Sequence, residues 1–178
     1  MYVNDHDFTG ECSKRGQAAE DSFIKVAYQR HYKIRKATRK EQCDHIDYFL
    51  TGLHPISRKE IQVTVDVKAV KKTTRQEKPF NTRWVWLEMV NVQGKRGWVH
   101  GKANFIAFER YADFVVIKRD SIRKWVESSG RIRYDLPYVN KSWQAKYRVY
   151  CRPGRKDQIT LVKMSDILKL DSCYIWEK

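Results

Sequence analysis

Cysteine is scarce in this chain: four residues in 178, at positions 12, 43, 151 and 173. None belongs to a C-x-x-C pair, which argues against a zinc site, and isolated cysteines fit a reduced, intracellular protein. Long apolar runs are missing too. No stretch approaches the roughly 20 residues needed to span a bilayer, so no membrane partner is expected. The opening MYVNDHDFTGECSK is polar and does not read as a secretory signal. No internal repeat and no low-complexity tract occurs. Acids are in short supply, 21 against 36 lysines and arginines, for a formal net charge of +15. So large a cationic excess makes a polyanion, nucleic acid above all, the expected partner through phosphate neutralisation and counterion release.

What is present suffices for a packed globule: 42% hydrophobic and 13% aromatic residues. The length allows one sizeable core, or one domain with an appendage. Residues 1–15 read as a polar lead-in. From 16 to about 31 the pattern is helical, with Ala19, Phe23, Val26 and Ala27 on one stripe and Glu20 within or beside it. KIRKATRK, 33–40, is a basic loop or helix end. CDHIDYFL, 43–50, reads as a strand with His45, Asp47 and Phe49 on one face. After a turn containing Gly52 and Pro55 comes IQVTVDVKAV, 61–70, a strand with the composition of a buried one. The two strands are most simply an antiparallel pair, which would put Asp47 beside Asp66.

Residues 71–81 form a polar, basic connection, and WVWLEMVNV, 84–92, is a further strand carrying one acid, Glu88. QGKRGWVHG, 93–101, holds three glycines in nine residues and must turn. Periodicity does not decide between helix and strand for 103–107. FVVIK, 114–118, is a short buried strand, and Asp120 or Ser121 caps a helix to about 127. Residues 131–178 suggest a hairpin of 147–151 with 158–162, a helical turn capped by Ser165 or Asp166, and a closing strand CYIWEK. Aromatic and cationic residues alternate in this part, which suits nucleic-acid contacts and equally a half-buried hairpin on a basic protein.

The chemistry concentrates in 61–70. Strand side chains alternate faces, so Asp66 and Lys68 share one face while Val63, Val65 and Val67 share the other. An acid and an ammonium on an inner strand need each other, a metal, or both, because unpaired buried charge is costly. Glu20, Asp47, Asp66 and Glu88 supply acids from successive elements where apolar residues are expected. Converging carboxylates that cannot all ionise are natural ligands of a hard divalent cation. Mg²⁺ or Mn²⁺, one or two ions, held by Asp47, Asp66 and the Val67 carbonyl would polarise a phosphodiester. Lys68 would position or activate a water, and Glu20 would assist or bind a second ion.

The ordered words AEDSF (Glu20), HIDYFL (Asp47) and VDVKAVK (Asp66, Lys68) resemble the PD-(D/E)XK nuclease superfamily over about 16–127. The stretch WLEMVNVQGKRGWVHGKANFIAFE looks like one found in small phage and mobile-element members. The resemblance implies an α/β, restriction-endonuclease-like αβββαβ core with a mixed central sheet flanked by helices. The core would span 16–130, with a basic and aromatic β-rich extension over 131–178 packed on it. It implies Asp47, Asp66 and Lys68 as metal-binding and catalytic residues with Glu20 assisting. Two departures stand out: Ile46 replaces the proline before the second acid, and Asn104 stands where an acid is expected. Asp44 competes with Asp47 for the second acid, and His45, on the face of Asp47, is either a contact to the metal or substrate or, the preferred reading, a hydrogen-bonded structural histidine.

The expected function is therefore a Mg²⁺-dependent nuclease, a DNA endonuclease with little sequence preference. A non-catalytic nucleic-acid-binding protein and an RNA-cleaving enzyme are the alternatives. Lys36, Arg39, Lys40, Lys71, Lys72, Arg75, Lys95 and Arg96 would hold the backbone, giving affinity without sequence reading. A symmetric homodimer would suit cutting of both strands. The cytoplasm is the expected location, that of a host cell if the chain is phage-encoded.

Overall fold

A computed structural model describes residues 10–54, 56–73 and 81–178. The fold is mixed α/β, with a mixed six-stranded sheet and, among the described residues, four helices. The sheet runs β1 (Lys33–Lys36), β2 (Tyr48–Leu53), β3 (Glu60–Lys68), β5 (Phe105–Glu109), β6 (Asp113–Lys118), β8 (Cys173–Glu177). Within it only β3 and β5 are parallel neighbours; β1–β2, β2–β3, β5–β6 and β6–β8 are antiparallel. β4 (Trp84–Val90) leaves this sheet and pairs with β7 (Gln158–Lys163) in a separate two-stranded one. No helix of the described residues is long and apolar enough to cross a membrane.

The alternation of β3 divides the core in two. Val65 and Val67 face α1 (Glu11–Gln29), whose Ala19, Phe23, Val26 and Ala27 pack on Tyr48, Leu50, Ala107, Phe114 and Val116. Phe23 anchors this layer, edge-on to Phe114 at 5.3 Å and stacked on Trp176 at 5.5 Å. The opposite face meets Leu87 and Met89 of β4, Trp98, Val99, and Ile122 and Val126 of α3 (Arg119–Ser128). Asp66 and Lys68 therefore point into the layer between the two sheets. The apolar stripe of α1 is visible in its spacing; the helix itself begins at Glu11, earlier than that stripe.

Several expectations are corrected. Residues 43–50 are not one strand: Arg39–Cys43 forms a short helix, α2, and β2 begins only at Tyr48. A capping box drives this. The Thr38 backbone N–H donates to Glu41 Oε2 at 2.7 Å, and the Thr38 hydroxyl accepts from the Glu41 N–H. The T-x-x-E word is present in the sequence and outweighs the alternation downstream of it. Beyond β4 the chain makes only a 3-10 turn, Trp98–His100, where a core helix was expected; the helix comes after β6. Residues 103–107, ambiguous by periodicity, end in the strand β5. Segment 147–151 does not form a regular hairpin with β7, touching it through isolated bridges such as Tyr150–Ile159. The short helix near Ser165 is α4 (Met164–Ile167), and the closing strand is β8, on the edge of the large sheet.

The turn after β4 is tight. The Gly97 N–H donates to the Met89 carbonyl at 2.8 Å, and a β-carbon at Gly97 would overlap the Glu88 carbonyl group. Gly97→Ala is expected to cost about 1–3 kcal/mol through overpacking against a backbone that cannot yield. Urea denaturation would read this as a lower midpoint; an unchanged midpoint would refute the close approach.

Candidate active site

Lys68 and Asp66 meet as the strand alternation requires. Lys68 Nζ lies 2.6 Å from Asp66 Oδ1, and 5.6 Å from the centroid of the Trp98 ring. Asp66 is 2% exposed, and among the described residues no group donates to its other oxygen, Oδ2, which is buried. A buried carboxylate oxygen without a donor is costly, and natural folds seldom leave one without purpose.

Asp47 is the residue immediately before β2. Its N–H donates to the Val65 carbonyl at 2.9 Å, and its Oδ2 accepts from the Val67 N–H at 2.7 Å. The Asp47 side chain thus continues the ladder along β3 where β2 itself has not yet begun. A strand residue's N–H and C=O point toward the same edge, so the Val67 carbonyl faces this opening as well. Burial pushes the Asp66 carboxyl up to about 8; Lys68 opposes that shift and the neighbouring Asp47 carboxylate adds to it. Burial disfavours charge on Lys68, but Asp66 and Asp47 outweigh it and raise its pKa. While Asp66 keeps its proton the three groups hold one ammonium against one carboxylate; once it ionises two carboxylates face one ammonium, and that excess negative charge is what an added cation would relieve.

Glu20 stands apart from Asp66. It approaches from α1, where Tyr48 Oη donates to its Oε2 at 2.8 Å and Lys36 Nζ lies 3.7 Å away. Its pKa is raised, by burial first and with the Asp47 carboxylate contributing. Among the described residues no three His, Cys, Asp or Glu side chains converge closely enough to hold an ion. The structure therefore brings Asp47, Asp66 and Lys68 together, and keeps Glu20 at the flank of Asp47.

Comparison of the chain with protein-family models, curated proteins and solved structures finds no match.

The competing acid, Asp44, is the C-cap of α2 and pairs with Lys102 at 3.0 Å. His45 adopts a left-handed backbone (φ 60°), and its Nε2 lies 3.2 Å from the Arg96 carbonyl. A carbonyl only accepts, so Nε2 carries the proton; burial, then Lys68, lowers the pKa of the ring. Asn104 is structural. Its Oδ1 accepts from the Thr64 N–H at 2.8 Å and hydroxyl at 2.9 Å, fastening the start of β5 to β3. Glu88 is the residue whose place sequence reasoning missed. It stands out in the sequence as an acid in an apolar strand. Among the described residues it makes no hydrogen bond or ion pair with an arginine. Its charge instead acts on Lys68 and His45.

The proposed backbone-binding cations divide. Arg39 and Lys40 are exposed on α2, and Lys95 and Arg96 on the turn after β4; the His45–Arg96 bond draws these two segments together. Lys71 is exposed just past β3, whereas Lys36 is engaged by Glu20. Lys72 offers its carbonyl to Trp86 Nε1 at 3.1 Å. Arg75 lies outside the described residues.

Proposed function

We propose that this chain is a metal-dependent nuclease that hydrolyses nucleic-acid phosphodiester bonds, with a restriction-endonuclease-like core. The observation that carries the reading is the buried, donorless Asp66 Oδ2 beside a second carboxylate and an ammonium. The donor set suits the implied ion: two carboxylates and a strand carbonyl are oxygen ligands, as Mg²⁺ and Mn²⁺ require. Asp47, Asp66 and the Val67 carbonyl would hold it, with Glu20 in reserve beside Asp47. Such an ion supplies Lewis acidity to a phosphodiester and a lowered pKa to water.

The chain's own residues do the rest. Lys68, held by Asp66, presents an ammonium to charge developing on the phosphate, and can orient an attacking water by hydrogen bonding. Asp47, anchored on the Val67 N–H, is kept from rotating away. Arg39, Lys40, Lys95 and Arg96 border the turn leading into β2 and would track the phosphate backbone. The order of acid on α1, acid at the mouth of β2 and D-x-K on β3 in a mixed sheet supports the resemblance. The placement of Glu88 in a second sheet and the missing helix before β5 depart from it.

The test is incubation of plasmid, single-stranded DNA and RNA with the wild-type chain and Asp47→Ala, in Mg²⁺, Mn²⁺ or EDTA. Metal-dependent cleavage by the wild type alone supports the proposal, and the substrate cut separates DNA from RNA. Binding by both without cleavage by either would replace it with a non-catalytic binder. For binding in EDTA, the double change Lys95→Ala/Arg96→Ala should reduce the slope of log K against log salt by about 1.8, near 0.9 for each duplex phosphate no longer neutralised. An unchanged slope would remove that turn from the interface.

A further inference from the structure

α1 covers only part of its face of the six-stranded sheet. Toward the end where β3 and β5 begin, the same face opens into a groove of about 740 Å³, lined chiefly by Leu50, Val63, Phe105, Val116, Tyr174 and Trp176. That volume falls within the span of small-molecule sites, about 300–1,000 Å³, and so does the mostly apolar lining. Five strands contribute to the floor, so at about 4.8 Å per strand it extends roughly 19 Å across the sheet. Asp66 and Lys68 occupy the other end of β3 and the other face of the sheet.

The polar groups here are unbalanced. Lys118 is the cross-strand partner of Phe105, so its side chain rises from the groove side of the sheet; it is exposed and makes no ion pair among the described residues. Asn104 commits its oxygen to Thr64, which leaves its NH₂ group. His54 accepts at Nδ1 from the N–H groups of Ile56 and Ser57, so its Nε2 bears a proton. The carboxylate at this end, Asp120, is already paired with Arg123 at 2.9 Å. An ammonium, an amide NH₂ and an imidazole N–H thus border an apolar trough with, among the described residues that line it, no unpaired carboxylate. We propose that the groove is a binding site for an amphipathic anion, its hydrocarbon or fused-ring body lying across Phe105 and Val63 and its single negative head against Lys118 and Asn104. This site is independent of the nuclease reading.

The experiment is isothermal titration of the full chain with dodecanoate and with dodecyltrimethylammonium, both below micellar concentration. Dodecanoate is expected to bind at one saturable site, at least about tenfold more tightly than the cationic amphiphile. Lys118→Gln, a surface change that leaves the core intact, should weaken dodecanoate about tenfold, while Lys14→Gln on α1 leaves it unchanged. Val63→Trp should abolish binding by filling the floor, with its melting transition as the control for folding. Equal binding of the two amphiphiles, or equal weakening by Lys118→Gln and Lys14→Gln, would overturn the proposal as charge adsorption. Displacement of dodecanoate by oligothymidine, or a dimer that excludes dodecanoate and is broken by Val63→Trp, would assign the groove to nucleic acid or to a second copy and overturn it as well.

Discussion

Asp66→Asn is expected to lower metal-dependent cleavage about 10³-fold, the order of loss seen when one group that stabilises transition-state charge is removed. The substitution keeps the shape of the side chain and its hydrogen bond from Lys68, but removes the charge and one of two carboxylates facing the opening. Mn²⁺ titration of the variant should show little heat, and its binding to nucleic acid in EDTA should match the wild type, because the backbone-tracking cations are untouched. Activity within tenfold of wild type would sink the assignment of this site. A parallel loss of nucleic-acid binding would indicate a folding defect instead, and a melting curve would settle that. On the proposed function the variant separates catalysis from affinity, because that proposal rests the two on different groups: buried carboxylates for one, exposed lysines and arginines for the other.

The second large effect is on stability against pH in the ion-free protein. Burial holds the folded Asp66 carboxyl at about 8, against about 4 in the unfolded chain. Between those values the folded state keeps a proton that the unfolded state has released, so stability falls as pH rises through that window. The stabilisation is complete below about pH 4 and gone above about 8, a change of a few kcal/mol. Urea denaturation in EDTA at pH 5, 6, 7 and 8 should therefore show a declining midpoint for the wild type. Asp66→Asn, which cannot ionise, should show a flatter profile. Mn²⁺ should counter the decline, since ligation favours the ionised carboxylates. A wild-type midpoint that falls no faster with pH than that of Asp66→Asn would mean that Lys68 fully compensates Asp66, and that the pair needs no further cation.

These expectations rest on features of unequal visibility in the sequence. The D-x-K word on an apolar strand is readable because strand alternation is a local rule, and the Asp66–Lys68 contact follows from two side chains on one face. The antiparallel pairing of β2 with β3 is readable from two apolar runs separated by a turn. The boundary of β2 is not, although Thr38 and Glu41 announce a helix start, because the alternating residues after Cys43 imitate a strand. Glu88 is noticeable but easily misassigned, since nothing in WVWLEMV indicates that this strand leaves the large sheet to pair with residues 158–163.

From the sequence by itself came the strongly basic surface, the amphipathic α1, the buried strand β3 and the placing of an acid and a lysine on one side of it. All of these depend on composition or on periodicities of two and 3.6 residues, which operate within a single segment. Tertiary structure alone decided which acids meet. Asp47 reaches β3 because β2 starts one residue later and leaves the Val67 N–H for its carboxylate. Glu20 is turned aside by Tyr48 and Lys36, and Glu88 arrives from a different sheet. Contacts of this kind depend on the register and hydrogen bonding of segments distant along the chain, and no local pattern encodes them.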